Sequence, residues 1–142
     1  MITSKLKKKR KNKEHLYQAA LIKWAYIAGR KSKKAAPLLT LFAIPNGQLS
    51  LGLIKTRIGK IRLLKYLANE GVRKGVPDLF LPYPSKKYHG LFIEMKTEVG
   101  VHGDAQKLWQ KNLTKAGYKV VVCRGVENAR MELTSYLNLK NC

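Results

Sequence analysis

Apolar residues recur along this chain at two spacings, and the spacing distinguishes helices from strands. From about 13 to 29, and again from about 50 to 70, they return every three or four positions, which predicts helices with one apolar side. The same spacing predicts helices at about 104 to 116 and 126 to 137. Shorter apolar runs, most of them bounded by glycine or proline, predict strands at 38–44, 75–81, 90–96 and 118–123. The mixture indicates an α/β domain.

Charge is unusually one-sided in the predicted helix at 50 to 70. Surface charge on a helix is ordinarily just a solvated face, but here almost every charge is positive until Glu70. That excess favours a surface that faces DNA. The residues predicted to point inward are Leu53, Ile54, Ile58, Ile61, Leu64 and Leu67, and those predicted to point mostly outward are Lys55, Arg57, Lys60, Arg62 and Lys65.

Two predicted strands carry charge where a buried strand should have none. Asp78 opens the strand at 75–81, while Glu94 and Lys96 lie two apart at 90–96 and therefore share one face of a sheet. The loop between the strands is short enough for them to pair antiparallel, which places Asp78 opposite Glu94. Burying carboxylates is costly without a cation or a hydrogen-bond partner. We therefore expect a metal site here.

Composition narrows the choice of partner. The chain has 142 residues, enough for one domain with a core, and 29 Lys and Arg against 8 acidic residues give a net charge of +21. Such an excess repels itself unless a polyanion binds, so nucleic acid is the expected partner. A membrane surface is the weaker alternative, because neither a membrane-spanning apolar run nor an amphipathic anchor is visible. No secretory signal is visible either, and two cysteines form no disulfide or metal framework, so we expect the cytoplasm.

Basic residues are densest near the N-terminus. Residues 1–13 offer almost nothing to bury, and we predict a disordered arm that holds phosphates through Lys7, Lys8, Lys9, Arg10, Lys11 and Lys13. A tail that only confers solubility is the alternative. Arg73 and Lys74, just before the Asp78 strand, are further predicted nucleic-acid contacts.

Phosphate-binding loops, dinucleotide fingerprints and catalytic triads are not recognisable, and the three histidines are scattered, so we expect no organic cofactor.

An ordered set of short motifs resembles a known family. Glu14, Pro45-Asn46-Gly47, Gly75-Val76-Pro77-Asp78-Leu79, Phe92-Ile93-Glu94-Met95-Lys96 and Gln106 occur in the order typical of VRR-NUC proteins, the virus-type replication-repair nucleases of the PD-(D/E)xK superfamily. The resemblance covers about 14 to 137. Pro-Asp and Glu-x-Lys are individually common, so the specificity lies in the order of the whole set.

The resemblance implies a fold and a set of roles. It implies a single-domain restriction-endonuclease-like core over 14–142, with a mixed central sheet flanked by helices. Mg²⁺ or Mn²⁺ would be held by Asp78, Glu94 and the backbone carbonyl of Met95. Lys96 would act on the attacking water, or only form a salt bridge to Glu94. Three further positions have implied roles. Glu14 would reach a metal-bound water or a second metal, or else it is only a carboxylate stabilised by the helix dipole. Gln106 would lie near the site, and Asn46 would contact DNA or the site, or else it is only a turn residue.

The expected function is metal-dependent hydrolysis of DNA by an endonuclease. Short members of the family resemble phage or bacterial proteins that form homodimers and cut branched DNA such as four-way junctions, and flaps are a related substrate. The apolar segment from Leu49 to Leu67 is the candidate dimer interface, or else only core. The alternatives are a non-catalytic basic DNA- or RNA-binding protein and a degenerate nuclease-like subunit, although the set Asp78, Glu94 and Lys96 is of no use to a pure binding module.

Overall fold

The structure, a computed structural model, describes residues 4–45 and 54–139, with side chains from Lys13 onward in the first helix. Within these ranges the helices are α1 (Ser4–Gly29), α2 (Arg57–Asn69), α3 (Asp104–Lys115) and α4 (Val126–Tyr136). The strands are β1 (Phe42–Ala43), β2 (Leu79–Leu81), β3 (Leu91–Lys96) and β4 (Lys119–Arg124), and a 3-10 helix (Ala36–Thr40) precedes β1. Of the helices described, none is long and apolar enough to span a membrane.

One mixed sheet in the order β1-β2-β3-β4 forms the centre of the fold. β2 pairs antiparallel with both β1 and β3, as the short loop between β2 and β3 predicts, and β3 pairs parallel with β4. Phe42 lies opposite Phe80, and Phe80 lies opposite Phe92. Because side chains alternate along a strand, these three rings share one side of the sheet with Glu94 and Lys96. We call that side the site face.

The opposite side of the sheet, the core face, carries Leu91, Ile93 and Met95 and is covered by α1 and α4. Leu21 of α1 and Leu133 of α4 are fully buried against it. A buried side chain of this size contributes about 1.5–3 kcal/mol, so this layer holds the two helices on the sheet. All six residues of β3 are buried, including the two charged ones.

Helix α1 begins at Ser4, which corrects the predicted start near 13 and the predicted disorder of the basic stretch. Lysine, arginine and leucine are good helix formers, and extending an existing helix avoids the cost of nucleation. The apolar periodicity used in the sequence analysis starts only where α1 begins to pack, so it could not detect the earlier turns. The division of the chain into a separate arm at 1–13 and a nuclease domain at 14–142 stays a prediction.

The predicted strand at 38–44 is also corrected, because only Phe42 and Ala43 are extended in a strand. Pro37 stands in the first turn of the 3-10 helix, where its fixed φ suits a helical start. The Thr40 hydroxyl donates to the Pro37 carbonyl at 2.8 Å and closes that turn. An apolar run alone does not distinguish this short helix from a strand.

Helix α2 contradicts the prediction that Ile58, Ile61 and Leu64 point inward. These side chains are 65%, 57% and 47% exposed, while Leu63 and Leu67 are half-buried. The helix begins at Arg57, and the preceding Thr56 is its N-cap, whose hydroxyl accepts a hydrogen bond from the Gly59 amide. Spacing identifies a helix but not the element that packs on it. The remaining strands and helices lie within or close to their predicted ranges.

Candidate active site

Pairing of β2 with β3 brings together the two carboxylates singled out in the sequence. Asp78 immediately precedes β2, and the register of Leu79 with Ile93 places it across from Glu94. The Met95 amide donates to the Asp78 carboxylate at 2.8 Å. The backbone of β3 therefore fixes the Asp78 side chain at the position opposite Glu94.

Lys96 lies two residues beyond Glu94 on the site face and forms a buried ion pair with it. Its Nζ is 2.6 Å from Glu94 Oε1, and the two side chains are only 11% and 3% exposed. This is the salt bridge that the sequence analysis considered as one alternative for Lys96. Because Glu94 is held on a buried strand, the lysine has little freedom to reach solvent without breaking the pair.

Gln106 is brought to the same carboxylate by the first turn of α3. Its Oε1 accepts from the Gly103 amide at 2.9 Å, which satisfies a free N–H at the helix start. Its Nε2 donates to Glu94 Oε1. The amide group is thus oriented at both ends, and its donor side faces the carboxylate.

Glu14 reaches the site edge from α1. Its Oε1 accepts from the Thr97 amide at a long 3.4 Å, just past the end of β3. Because α1 starts at Ser4, Glu14 stands in the helix interior rather than in its first turn. The simpler explanation of this residue, a carboxylate stabilised by the helix dipole in the first turn, therefore does not hold.

Burial and crowding of negative charge dominate the electrostatics. Burial, together with the nearby Asp78 and Glu14 carboxylates, raises the pKa of Glu94 to about 7 against the opposing effect of Lys96. Burial also raises the pKa of Asp78, against the lowering effects of the Met95 amide and Lys96. Glu94 Oε2 is buried and has no hydrogen-bond partner among the described residues. A site of this kind favours a bound cation.

The donor set fits a hard divalent ion that keeps part of its water. In the described part of the chain, no three His, Cys, Asp or Glu side chains converge closely enough to enclose a metal on their own. Mg²⁺ needs no such cage, because it is commonly bound through one or two carboxylates and several waters. The pair Asp78 and Glu94, with the buried Oε2 of Glu94, meets that requirement.

A close approach between two segments shapes the rim of the site. Gly75 has a φ of +88°, and a Cβ there would lie 2.8 Å from backbone and side-chain atoms of Ala105 in α3. The Trp109 indole donates to the Lys74 carbonyl at 3.2 Å on the same contact. Only glycine suits both the conformation and the distance. The segment before Asp78 is thereby held against the helix that carries Gln106.

Several contacts around the site depend on long-range packing and were missed by sequence reasoning. Glu98 accepts from Lys13 Nζ at 3.0 Å and from the Tyr17 hydroxyl at 2.8 Å, tying α1 to the segment after β3. Arg124 donates to the carbonyls of Thr97 and Gly100 at 3.1 and 2.8 Å. No local motif marks these residues. They pin the segment between β3 and α3 from both sides.

The predicted nucleic-acid contacts are spread more widely. Lys13 pairs with Glu98, Arg73 donates to the Ala68 carbonyl at 2.8 Å near the end of α2, and Lys74 is exposed. Asn46 lies outside the described residues, and the side chains of Lys7, Lys8, Lys9, Arg10 and Lys11 are likewise outside them. His15 and His89 are exposed, whereas burial and the nearby Lys96, Lys107 and Arg124 lower the pKa of His102.

Comparison with known proteins agrees with this geometry. The profile of the VRR-NUC domain matches residues 12–127. A solved structure of a VRR_NUC domain protein is 25% identical to the chain, covers 89% of each chain and superposes with a TM-score of 0.67. None of the curated proteins matches significantly. The mixed sheet with its flanking helices is therefore a PD-(D/E)xK-like fold, as the motifs imply.

Proposed function

Because the chain belongs to the VRR-NUC family, whose domain is a nuclease of the PD-(D/E)xK type, we propose that it is a divalent-metal-dependent DNA endonuclease. The observation that carries the proposal is the buried cluster of Asp78, Glu94 and Lys96, with the Gln106 amide directed at Glu94. A protein that only binds nucleic acid would gain nothing from burying these charges on the central strand.

Asp78 and Glu94 are the proposed ligands of Mg²⁺ or Mn²⁺, with the Met95 carbonyl as a third. A bound divalent ion supplies an acidified water and neutralises charge that develops on the phosphate. The Met95 amide holds Asp78 in place, and Gln106 orients Glu94 through Oε1. The buried Oε2 of Glu94 is then left to coordinate. Glu14 lies close enough to raise the pKa of both carboxylates, which suits the proposed contact through water.

Lys96 is the proposed group acting on the attacking water. If Glu94 held a cation through Oε2, the Lys96 ammonium beside Oε1 would face the reacting phosphate from the same strand. There it orients the water and stabilises the extra negative charge, as positioned donors do in buried sites. Side chains alternate along β3, so Lys96 lies on the same face as Glu94 and close to it.

Branched DNA is the proposed substrate, and a homodimer the proposed assembly. A chain of charge +21 binds any duplex through its phosphates. Selection of a branch therefore needs geometry, such as two sites at a fixed separation. The exposed Ile58, Ile61 and Leu64 of α2 support the segment 49–67 as the interface, of which 54–67 lies within the described residues. A two-fold dimer formed through this patch would hold the two active sites at a fixed separation.

A panel of linear duplex, nicked duplex, flap and four-way junction tests the function, with Mg²⁺, Mn²⁺ or EDTA. We expect cleavage in either metal and none in EDTA. Asp78→Asn should abolish cleavage because it removes a ligand charge at nearly constant size. Glu127→Gln, which removes an exposed carboxylate on α4, is the matched control and should cut normally. Full activity of the Asp78 variant would refute the site, and binding without cleavage by the wild type would favour the non-catalytic alternative.

Sedimentation at micromolar concentration tests the assembly. Ile61→Glu should convert a dimer to a monomer and remove paired nicking of a four-way junction, because it buries a charge in the proposed interface. Met131→Glu, on an exposed apolar residue of α4, is the control and should leave the assembly unchanged. A monomeric wild type that still makes paired nicks would exclude the dimer.

A further inference from the structure

Aromatic rings occupy the end of the site face that the carboxylates leave free. Phe80 stacks on Phe92 with centroids 4.2 Å apart, and Phe42 meets Phe80 edge to face at 5.8 Å. Tyr118 adds a further ring, with its centroid 5.3 Å from that of Phe92. We call Phe42, Phe80, Phe92 and Tyr118 the aromatic cluster. It crosses the sheet from β1 to Tyr118, the residue that precedes β4.

The cluster runs from the interior to solvent. Phe92 is 9% exposed, Phe80 and Tyr118 are half-buried, and Phe42 on the edge strand is 48% exposed. Gly90 allows the Phe80 ring to lie over the backbone of β3, because a Cβ at that position would meet the ring at 2.8 Å. The exposed Phe42 ring is therefore backed by rings that are already held in place. The exposed ring thus offers a flat apolar surface, fixed from behind, that a ligand can cover.

The cluster is continuous with the candidate active site. Phe92 and Glu94 are two residues apart on β3 and point to the same side, a separation of about 7 Å. The rings of Phe80 and Phe42 extend the same row across β2 and β1. Phe42, the exposed ring, lies two strands to the side of β3, roughly 10 Å at the usual strand spacing. A nucleotide one or two positions from a phosphate at Glu94 would pass it.

We propose that the aromatic cluster binds an unpaired nucleobase next to the scissile phosphate, with Phe42 as the stacking surface. The inference rests on the proposed nuclease function and deepens it by naming a contact for a base near the active site. Net charge of +21 draws a polyanion to the protein, and every base has a face that stacks on an aromatic ring. Bases inside a duplex have both faces covered by their neighbours. The cluster therefore favours DNA that presents an unpaired nucleotide near the cut.

Binding measured in EDTA tests the inference without cleavage. The ligands are a single-stranded oligonucleotide, the same strand as a duplex, and the single strand with abasic sites. Phe42→Leu should weaken binding of the single strand by about tenfold, the loss typical of one stacked base, and that of the duplex by less than about twofold. Met131→Ala, which removes an exposed apolar side chain on the far side of the sheet, should change neither.

Phe42→Trp keeps the stacking surface and supplies a probe, so the test survives if the leucine variant is unstable. Its binding should equal or exceed that of the wild type. The fluorescence that it adds to that of Trp24 and Trp109 should be quenched by the normal oligonucleotide but not by the abasic one. Equal weakening of single strand and duplex by Phe42→Leu, or equal binding of normal and abasic strands, would overturn the proposal. Cleavage of the substrate panel by the wild type in Mg²⁺ reports separately on the nuclease function.

Discussion

Replacing Glu94 with glutamine should change how the stability of the metal-free protein depends on pH. Burial and the nearby carboxylates raise the pKa of this carboxyl from 4.5 to about 7. Between these values the unfolded chain has released the proton that the folded chain still holds, so the free energy of unfolding falls as pH rises. The difference of about 2.5, at about 1.4 kcal/mol for each pH unit, corresponds to about 3 kcal/mol. The loss begins above pH 4.5 and is complete somewhat above pH 7.

Glutamine cannot ionise, so the variant should lose this component of the pH dependence. It also leaves Lys96 without its partner, which costs stability at every pH in the range, so the comparison uses the slope rather than the absolute value. We expect the wild type to lose about 2 to 3 kcal/mol more than Glu94→Gln between pH 5 and pH 8, because a small part of the loss has already occurred at pH 5. Glu127→Gln, an exposed carboxylate change, controls for the loss of one acidic group and should follow the wild type.

Guanidinium denaturation in EDTA, followed by tryptophan fluorescence and circular dichroism at pH 5, 6, 7 and 8, measures these slopes. Added Mg²⁺ should stabilise the wild type more at pH 8 than at pH 6, because binding to the carboxylate must displace its proton at the lower pH. Parallel curves for the wild type and the glutamine variant would show that Glu94 ionises as freely in the folded chain as in the unfolded chain. The electrostatic account of the site would then be wrong.

Three further predictions concern neighbouring parts of the molecule. Lys96→Ala should retain Mn²⁺ affinity in calorimetry while cleavage falls by about 10²- to 10⁴-fold; a parallel collapse of metal affinity would make the lysine structural. Gln106→Glu keeps the acceptor for the Gly103 amide but places a second carboxylate beside Glu94, so the pH optimum of cleavage should move upward. Gln106→Ala should not shift the optimum in this way, and equal pH profiles for the two variants would contradict the prediction. Deleting residues 1–11 spares Lys13 and Glu14, so single-turnover cleavage at saturating protein should persist. The slope of log affinity against log salt concentration should fall in magnitude by about 0.9 for each phosphate that these residues no longer neutralise. An unchanged slope would refute a role of these residues in binding.

Local chemistry accounts for the part of the site that could be predicted. Asp78 and Glu94 stand out because charge in a short apolar strand is costly, and the short loop between the strands makes them neighbours. Alternation along one strand then puts Lys96 on the same face. Gln106 and Glu14 had no such local mark and depended on the resemblance of the ordered motifs. Their hydrogen bonds to Glu94 and to the Thr97 amide show how each approaches this region.

Other features could not be read from spacing because they depend on what packs where. The Glu98 contacts join residues more than 80 positions apart, and the rings of the aromatic cluster come from β1, β2, β3 and the residue before β4. Helix α2 has the same periodicity as a buried helix, yet Ile58 and Ile61 face outward since no described element covers them closely. Spacing reports which residues share a side, but only the neighbouring elements decide whether that side is covered.

The sequence by itself determined the α/β class, the antiparallel pair of charged strands and the carboxylate pair opposite each other, because these follow from periods of two and about four and from the cost of buried charge. Tertiary structure decided the rest. It extended α1 to Ser4, turned the start of the predicted first strand into a 3-10 helix, and exposed apolar residues of α2. It also raised the pKa of Glu94 to about 7, because burial and neighbouring charge are properties of the packed chain and not of any segment alone.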